Sequence, residues 1–315
     1  MKNSIFAVLM LLVVTVAFAQ EKTKNQTFKN IKNIRLSTSS GDITIKKSTS
    51  GETKVNVRYT YDEKDYQIVM EEADGKLTLE EKFERGSYSG NSSWTLEVPD
   101  NVTMKVNTGS GDLVVASVAA NIKGNSGSGN IELSSVKGQL DFNTGSGDFE
   151  IEDADGELDL NTGSGNVSLR NSKGTYDVNA GSGDIRFDKV SGDFQVNTGS
   201  GDIKANNVTI AGNSKFNTGS GNATVSLASE LKSSISINSG SGDSKLQFNG
   251  APISGTVVMT ANKNGGDIIA PFKFDSEETL DEGGNQKRIR KTAKLGNQDI
   301  TIKIGTGSGT AEISK

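Results

Sequence analysis

The side chains of this chain that could do chemistry are acidic and amide groups that recur at one fixed place after glycine. The hexapeptide Asn-(Thr/Ser/Ala)-Gly-Ser-Gly-(Asp/Asn) occurs eight times, and its last position is filled by Asp112, Asn130, Asp148, Asn166, Asp184, Asp202, Asn222 and Asp243. Only Asp184 and Asp202 are successive acidic residues among the evenly spaced copies. If copies stack about 4.8 Å apart, these carboxylates repel each other. The sequence therefore predicts that Asp184 and Asp202 form a locally strained spot or a weak cation site.

Calcium is the cation to consider first, because it binds carboxylate and amide oxygens. Calcium-binding β-rolls carry Gly-Gly-x-Gly-x-Asp-x-Φ-x in nine-residue halves, where Φ is apolar. In this chain the acidic residue stands directly before the first apolar residue, and one half of each repeat lacks the motif. We therefore predict no metal site beyond the weak pair, no cofactor-binding residues and no obligatory calcium.

Catalysis would need a base or a pair of carboxylates set in a groove. The chain has no histidine and no cysteine, and acidic pairs such as Glu150 and Glu152 stand at alternating positions typical of an outer, solvated strand face. A catalytic site would also be a local departure from the repeat, and none is visible. The sequence predicts no catalytic residues and no enzyme. A carbohydrate-active β-helix, either a polysaccharide lyase or a hydrolase, is the alternative.

A column of threonines could instead bind ice, but it would have to be unbroken. Ser126 and Ala180 interrupt the series Thr108, Thr144, Thr162, Thr198 and Thr218. The motif therefore favours a structural role for these residues.

A basic cluster near the end of the chain, residues 287–291, has two interpretations. It could dock an anionic glycan or a lipid headgroup, or it could be an exposed hairpin of a C-terminal cap. Because Ile289 alternates with charged neighbours as in a strand, we favour the hairpin.

The spacing of the hexapeptide indicates which elements position these groups. Its copies begin at Asn107, Asn125, Asn143, Asn161, Asn179, Asn197, Asn217 and Asn238, so the interval is 18 residues five times, then 20 and 21. Even repetition of a unit too small to bury its own core is typical of a solenoid. The predicted fold class is all-β, a single-chain parallel β-solenoid (β-helix), expected to be right-handed, with 18-residue rungs and β caps at both ends.

Each rung contains two short strands with period-2 alternation. In one copy the apolar pairs are Phe149 with Ile151 and Leu158 with Leu160, and Ala154 stands between them. Both pairs can point inward only if the chain turns between them. One corner is residues 144–147 and the other is residues 153–156, and we expect their glycines to supply positive φ.

The chain divides into four predicted segments. Residues 1–19 combine Lys2, an apolar run and Ala-Phe-Ala before Gln20, as in a secretory signal peptide. Residues 20–104 form an N-terminal β cap with the first coils, residues 105–247 the regular repeats, and residues 248–315 irregular coils and a C-terminal cap. From about residue 30 we expect one continuous domain.

The composition limits compartment and partners. No cysteine follows the signal, so neither a lipid anchor nor a disulfide is expected, and no transmembrane segment remains after signal removal. Without Lys2 the chain has 33 basic and 39 acidic residues, which argues against nucleic acid. We expect an exported protein (periplasmic, at the cell surface or secreted) whose partner is an unidentified envelope or extracellular glycan or protein.

These motifs carry a resemblance. The repeated Asn-Thr-Gly-Ser-Gly-Asp-Φ-x-Φ, the segment Val98-Pro99-Asp100-Asn101 and the terminal copy at residues 305–309 resemble a bacterial family of β-strand-repeat envelope proteins of unknown function, the head-GIN-like candidate adhesins. The resemblance covers residues 30–315. It implies a parallel β-helix outside the cytoplasm, no assigned catalytic residues and an adhesin-like role. An accessory role in envelope-stress signalling is a further alternative.

Overall fold

The structure is a computed structural model that describes residues 21–84, 89–281 and 287–315. The predicted signal peptide, residues 1–19, lies outside this part of the chain. No helix in the described residues is long and apolar enough to cross a membrane. Strands and turns account for the fold, in agreement with the predicted all-β class.

The first nine strands build the N-terminal end. They are β1 (Lys22–Phe28), β2 (Asn33–Thr38), β3 (Asp42–Lys47), β4 (Thr53–Tyr59), β5 (Tyr66–Ala73), β6 (Lys76–Phe83), β7 (Ser92–Val98), β8 (Thr103–Thr108) and β9 (Leu113–Ala116).

The central strands form the regular coils. They are β10 (Asn121–Ser126), β11 (Ile131–Ser134), β12 (Lys137–Thr144), β13 (Phe149–Glu152), β14 (Asp155–Thr162), β15 (Val167–Arg170), β16 (Lys173–Ala180), β17 (Ile185–Asp188), β18 (Ser191–Thr198), β19 (Ile203–Ile210), β20 (Ser214–Thr218) and β21 (Ala223–Leu227).

The last strands build the C-terminal end. They are β22 (Ile235–Ser239), β23 (Ser244–Gln247), β24 (Gly255–Asn262), β25 (Asp267–Ile269), β26 (Ser276–Asp281), β27 (Lys287–Leu295), β28 (Thr301–Thr306) and β29 (Thr310–Ser314).

The strands make two long sheets, which we call sheet A and sheet B. Sheet B runs in the spatial order β5, β6, β2, β8, β10, β12, β14, β16, β18, β20, β22, β28, β24, β27, β26. Sheet A runs in the order β1, β4, β7, β3, β9, β11, β13, β15, β17, β19, β21, β23, β29, β25. Between β6 and β28, and between β7 and β29, all pairings are parallel, so the fold is a β-solenoid.

The core lies between the inner faces of the two sheets. Phe142 pairs with Leu160 in sheet B and Phe149 with Val167 in sheet A, in each case 18 positions along the chain. The predicted inward residues of this coil, Phe149, Ile151, Ala154, Leu158 and Leu160, are at most 2% exposed. The alternating pattern therefore predicted the inner face correctly, because strand side chains alternate between core and solvent.

Close packing between neighbouring coils requires glycine in the Gly-Ser-Gly corners. The prediction that these glycines supply positive φ is wrong for these corners. Neither Gly145 nor Gly147 has positive φ. A β-carbon on Gly147 would instead lie 2.0 Å from the carbonyl oxygen of Gly129 in the neighbouring coil. Positive φ occurs at the second corner, where Asp153 has φ 55° and Gly156 has φ 153°.

The coil order at the two ends differs from the order along the chain. The degenerate first copy, β2 with β3, stacks directly on β8 with β9, and the later coil β6 with β7 lies outside it. At the other end the last coil, β28 with β29, is inserted between β22 with β23 and β24 with β25. Both degenerate copies thus extend one continuous stack, and coils from inside the sequence cover its ends.

Candidate functional site

The acidic and amide residues that close the Gly-Ser-Gly corners form a continuous hydrogen-bonded ladder. The Oδ1 atom of each accepts the backbone N–H of the corresponding residue in the next coil, at 2.6 to 3.1 Å. The ladder consists of Asp42, Asp112, Asn130, Asp148, Asn166, Asp184, Asp202, Asn222, Asp243 and, as last donor, Thr310. Because Asp and Asn both offer this oxygen, either residue satisfies the backbone.

Asp184 and Asp202 are neighbours in this ladder, as the even spacing predicts. The N–H of Asp202 donates to Asp184 Oδ1 at 2.9 Å, and Asp184 Oδ2 accepts from Arg186 Nη2 at 2.6 Å. No group of three or more His, Cys, Asp or Glu side chains that could hold a metal occurs in the described residues. A weak cation site at this pair stays a prediction, and Arg186 supplies a positive charge beside it.

A second acidic pair in the ladder is not predicted by the even spacing. The N–H of Asp112 donates to Asp42 Oδ1 at 3.1 Å, so these two carboxylates are also neighbours in the stack. They are 70 positions apart in the chain. Only the coil order at the N-terminal end brings them together.

The threonine column faces the interior, so the ice-binding alternative is wrong. Thr144, Thr162 and Thr198 are each 6% exposed. The Thr162 hydroxyl donates to the Gly147 carbonyl at 3.1 Å and accepts the Gly165 N–H at 2.9 Å. These hydroxyls fix the corners and are not presented to solvent.

The outer acidic pair and the basic segment are parts of the surface. Glu150 and Glu152 are exposed, and Glu150 accepts from Arg170 Nη2 at 3.2 Å. The basic residues 287–291 begin β27, which pairs antiparallel with β24 and β26. Arg290 and Lys291 form ion pairs with Glu278 and Glu277, at 3.0 and 3.2 Å. β26 and β27 form the antiparallel pair expected for the favoured hairpin, although residues 288–291 are half-buried. Residues 282–286, between the two strands, lie outside the described residues.

The outer face of sheet A has a trough of about 750 Å³ across β17, β19, β21 and β23. We call it the sheet A trough; it is lined by Arg186, Asp202, Ile203, Lys204, Asn206, Asn222, Thr224, Asp243, Lys245 and Gln247. Its volume lies within the usual range of ligand sites, about 300–1,000 Å³. Amide, hydroxyl and charged side chains dominate the lining. Such a surface can donate and accept many hydrogen bonds but offers no nucleophile paired with a base.

Lys204 is the cation at the centre of this trough. Lys245, at the rim, forms ion pairs with Asp243 at 3.6 Å and Glu312 at 3.1 Å, and the hydrogen bond to Glu312 raises the pKa of Lys245. Within the described part of the chain Lys204 has no ion-pair partner and is exposed. An ammonium group without a partner is free to bind an oxygen-rich ligand.

The trough lies where the repeat changes length. Sheet A partners on β19 and β21 are already 20 positions apart at Ile203 and Ala223, and a β-bulge follows between Ala205 and Val208 in β19. The intervals of 20 and 21 residues between copies of the hexapeptide are the signal of this change in the sequence. Bulges redirect side chains and occur often beside functional sites.

Sheet B has a trough of its own at the N-terminal end, with a volume of about 680 Å³. Its lining includes Arg35, Lys76, Lys105 and Lys123 on one side and Asp141, Glu157 and Asp159 on the other. Charges of the two signs are mixed in the sheet A trough, whereas here they are separated.

The comparisons with known proteins agree with the motif-based resemblance. A family model described as Toastrack DUF4097 matches residues 31–268. No curated protein matches the chain.

Among solved structures, the chain is similar to a candidate lipid-binding protein of Parabacteroides distasonis, with 19% identity, TM-score 0.46, and 94% of this chain and 96% of that chain covered. It is also similar to a candidate cell adhesion protein of Clostridium sporogenes (14% identity, TM-score 0.24, 94% and 99% covered) and to a candidate adhesin of Bacteroides fragilis (15%, 0.30, 94% and 96%). These values are too low to transfer a function.

Proposed function

Because the chain belongs to the Toastrack DUF4097 family, we propose that it is a non-enzymatic, exported β-solenoid that acts as an adhesin-like interaction module of the bacterial cell envelope. Its solenoid is right-handed with 18-residue rungs. Its mature part is one continuous domain from about residue 30.

The observation that carries this proposal is the sheet A trough. A long, open surface of amides, hydroxyls and charges matches the repeated hydroxyl and carboxylate groups of a saccharide, which an apolar pocket would not. We propose that the trough binds a polar glycan chain of the envelope or its surroundings, with Lys204, Asn206 and Thr224 as direct contacts. Lys204 favours a glycan that carries carboxylates.

An oligosaccharide array with neutral and uronate-containing members tests this proposal. Wild type should retain a subset, and Lys204→Ala, Asn206→Ala and Thr224→Ala should each weaken binding. The matched control is Lys303→Ala, which removes an exposed strand lysine from the outer face of sheet B. Unchanged binding by all three trough variants would place the ligand elsewhere, and retention of no oligosaccharide by wild type would contradict a glycan ligand.

An assay for reaction products distinguishes the enzyme alternative, a carbohydrate-active β-helix, from a binding protein. Incubation with acidic and neutral polysaccharides should release neither reducing ends nor unsaturated sugars. Robust turnover would contradict the non-enzymatic assignment, even if the trough bound the substrate.

A further inference from the structure

The outer face of sheet B carries a column of side chains sorted by charge. From β2 to β16 the column reads Arg35, Lys105, Lys123, Asp141, Asp159 and Asp177, one residue per strand. Neighbouring strands are about 4.8 Å apart, and like charges at such a distance repel each other. Across the column only Lys123 and Asp141 meet as an ion pair, at 2.8 Å. Three cations followed by three anions therefore place like charges on neighbouring strands within one copy.

The column is antisymmetric about the boundary between β10 and β12. Counting outward from it, each strand on one side has an oppositely charged or neutral counterpart at the same distance on the other. The matched residues are Lys123 with Asp141, Lys105 with Asp159, Arg35 with Asp177, Thr78 with Gln195, and Glu71 with Lys215. In the last match the anion, Glu71, lies on the side that otherwise carries cations, and the cation, Lys215, lies on the side that otherwise carries anions. The two charges are therefore still opposite.

The adjacent outward column follows the same rule. Lys76 on β6 and Asp193 on β18 are its oppositely charged outer members. Polar residues match between them, namely Asn33 with Thr175, Thr103 with Glu157, and Asn121 with Gln139. Matching thus extends over two columns and up to ten strands.

We propose that this face is the interface of a homodimer in which two copies pack sheet B against sheet B. The twofold axis runs parallel to the strands, between β10 and β12. Such an axis keeps the strand direction and reverses the order of coils, so every residue faces its counterpart. Arg35, Lys105 and Lys123 of one copy then face Asp177, Asp159 and Asp141 of the second copy, and the reverse pairs form by symmetry.

The area of this face fits a second copy of the chain. Eight strands about 4.8 Å apart, each about 20 Å long, cover about 800 Å² per copy, the area of a standard protein interface. Glu157 of the second copy would lie over Thr103, which lines the trough of about 680 Å³. A ligand of one charge sign would match only half of the face, whereas a second copy matches all of it.

The dimer is held by polar contacts, which determine its strength. Charged residues are depleted from the centres of tight interfaces, and complementary charges fix register and association rate more than affinity. The association is therefore weak and sensitive to salt. Most of the six column residues are exposed in the monomer, so they are accessible to a partner.

Sedimentation equilibrium of the purified protein over a range of concentrations tests the proposal. Wild type should dimerise at low salt, and its dissociation constant should rise at least about tenfold at high salt. Lys105→Glu and Asp159→Lys should each be monomeric where wild type is dimeric. Mixing the two variants should restore a dimer, because each substituted side chain then faces a side chain of opposite charge on the other copy.

Misfolding of the two variants can be distinguished from loss of the dimer. Each substitution relieves like-charge repulsion within its own column, so both variants should melt no lower than wild type. Lys303→Glu, on the same sheet outside the face, should dimerise as wild type does. A wild-type protein that stays monomeric at low salt, a dimer insensitive to either variant, or a mixture that stays monomeric would overturn the proposal.

Discussion

At the scale of single residues, the buried hydroxyl column explains how the Gly-Ser-Gly corners keep their shape. Several hydroxyls of this column link two coils, because each accepts an N–H three residues on and donates to a carbonyl of the preceding coil, as Thr198 does with Gly201 and Gly183 at 3.3 and 2.9 Å. Ala180 occupies this column without a hydroxyl and is 8% exposed. The Gly183 N–H in its own corner and the Gly165 carbonyl in the preceding coil therefore lack the hydrogen bonds that Thr162 and Thr198 make at the corresponding positions.

Ala180→Thr should stabilise the protein by about 1 kcal/mol, because the new hydroxyl can bond the Gly183 N–H and the Gly165 carbonyl. Denaturant unfolding measures the change. Thr198→Ala is the matched control and should lose about as much. A destabilised Ala180→Thr variant would mean that this corner is too tight for the two added atoms.

Asp202→Asn should raise stability at low salt by about 0.5–1 kcal/mol, since it removes the repulsion from Asp184 and keeps the Oδ1 that accepts the Asn222 N–H at 2.7 Å. The gain should shrink as salt or calcium is added. Asp148→Asn is the control, because Asn130 and Asn166 flank it and no repulsion is relieved. Thermal melts with equal or lower stability for Asp202→Asn at every ionic strength would show that Arg186 already neutralises the pair.

Alternation alone could have placed the threonine column. Leu140, Phe142 and Thr144 are two residues apart, so the strand that buries the first two must also turn the third inward. The reason for the glycines was not predictable in the same way. It depends on the contact between corners of neighbouring coils, about 18 positions away in sequence, and not on local backbone preference.

At the scale of elements, Glu81 ends the hydroxyl column. It lies at the N-terminal end, one strand beyond Thr38, and is 8% exposed. Its Oε1 accepts from Tyr66 Oη and Trp94 Nε1 at 2.9 Å and from Ser92 Oγ, and its Oε2 accepts the Ser39 N–H at 2.9 Å. Burial and the nearby Glu81 charge raise the pKa of Tyr66. A carboxylate with four donors thus closes the end of the stack.

Glu81→Gln should destabilise the N-terminal cap by about 1–3 kcal/mol, because an amide cannot accept on both sides and leaves a buried donor facing another donor. Trp94, the only tryptophan of the chain, reports on this cap by its fluorescence during unfolding. Glu80→Gln, on the outward side of the same strand, should behave as wild type. Equal unfolding curves for the two variants would show that the Glu81 carboxylate does not stabilise the N-terminal cap.

Asp100, from the Val-Pro-Asp-Asn segment, links three coils and gives the protein a pH dependence. Its Oδ2 bonds Lys47 Nζ and its Oδ1 accepts the Ala119 N–H at 3.0 Å, and these bonds, Lys47 first, lower the pKa of Asp100. A lowered folded-state pKa contributes stability that is complete above the unfolded value of about 3.9 and is lost as pH falls through the folded value.

Asp100→Asn should therefore cost about 0.5–1 kcal/mol at neutral pH and progressively less below about pH 4. Unfolding free energies of both proteins across this range measure it. A difference that stayed constant down to strongly acidic pH would show that the amide loses packing and not an ion pair.

The order of the end coils could not be predicted from the sequence. A degenerate copy such as Leu36–Ile45 fits against any neighbouring coil, because alternation defines its inner face but not its partner strand. Only the pairing of Leu36 with Val106 on one side and Leu79 on the other shows where it lies. The same holds for the trough in sheet A, which depends on a bulge and on four strands at once.

At the scale of the whole molecule, the two outer faces can serve different purposes. A dimer that packs sheet B against sheet B leaves both copies of sheet A outward, on opposite sides. If the sheet A troughs bind glycan as proposed, such a dimer can bridge two glycan chains, and one chain gains avidity only if it is long enough to reach both sides of the particle.

The interlocked C-terminal end makes a last prediction about the molecule as a unit. β24 and β25 reach the rest of the stack through β28 and β29, which are inserted between them and β22 and β23. Truncation after Gly296 should therefore detach the whole segment 248–296, because its inner neighbour is removed and β22 is left as an open edge.

Hydrogen exchange followed by mass spectrometry measures this effect. In the truncated protein, residues 248–281 and 287–295 should lose protection as completely as if they were unfolded, while β10 to β18 keep theirs, since solenoid coils are stabilised mainly by their neighbours. The matched variant is Ala311→Asp, which keeps the chain length but puts a charge into the fully buried face of β29. It should expose the same segment. Full protection of residues 255–262 in either variant would mean that β24 can pair directly with β22, and that the inserted coil is not what holds this end of the solenoid.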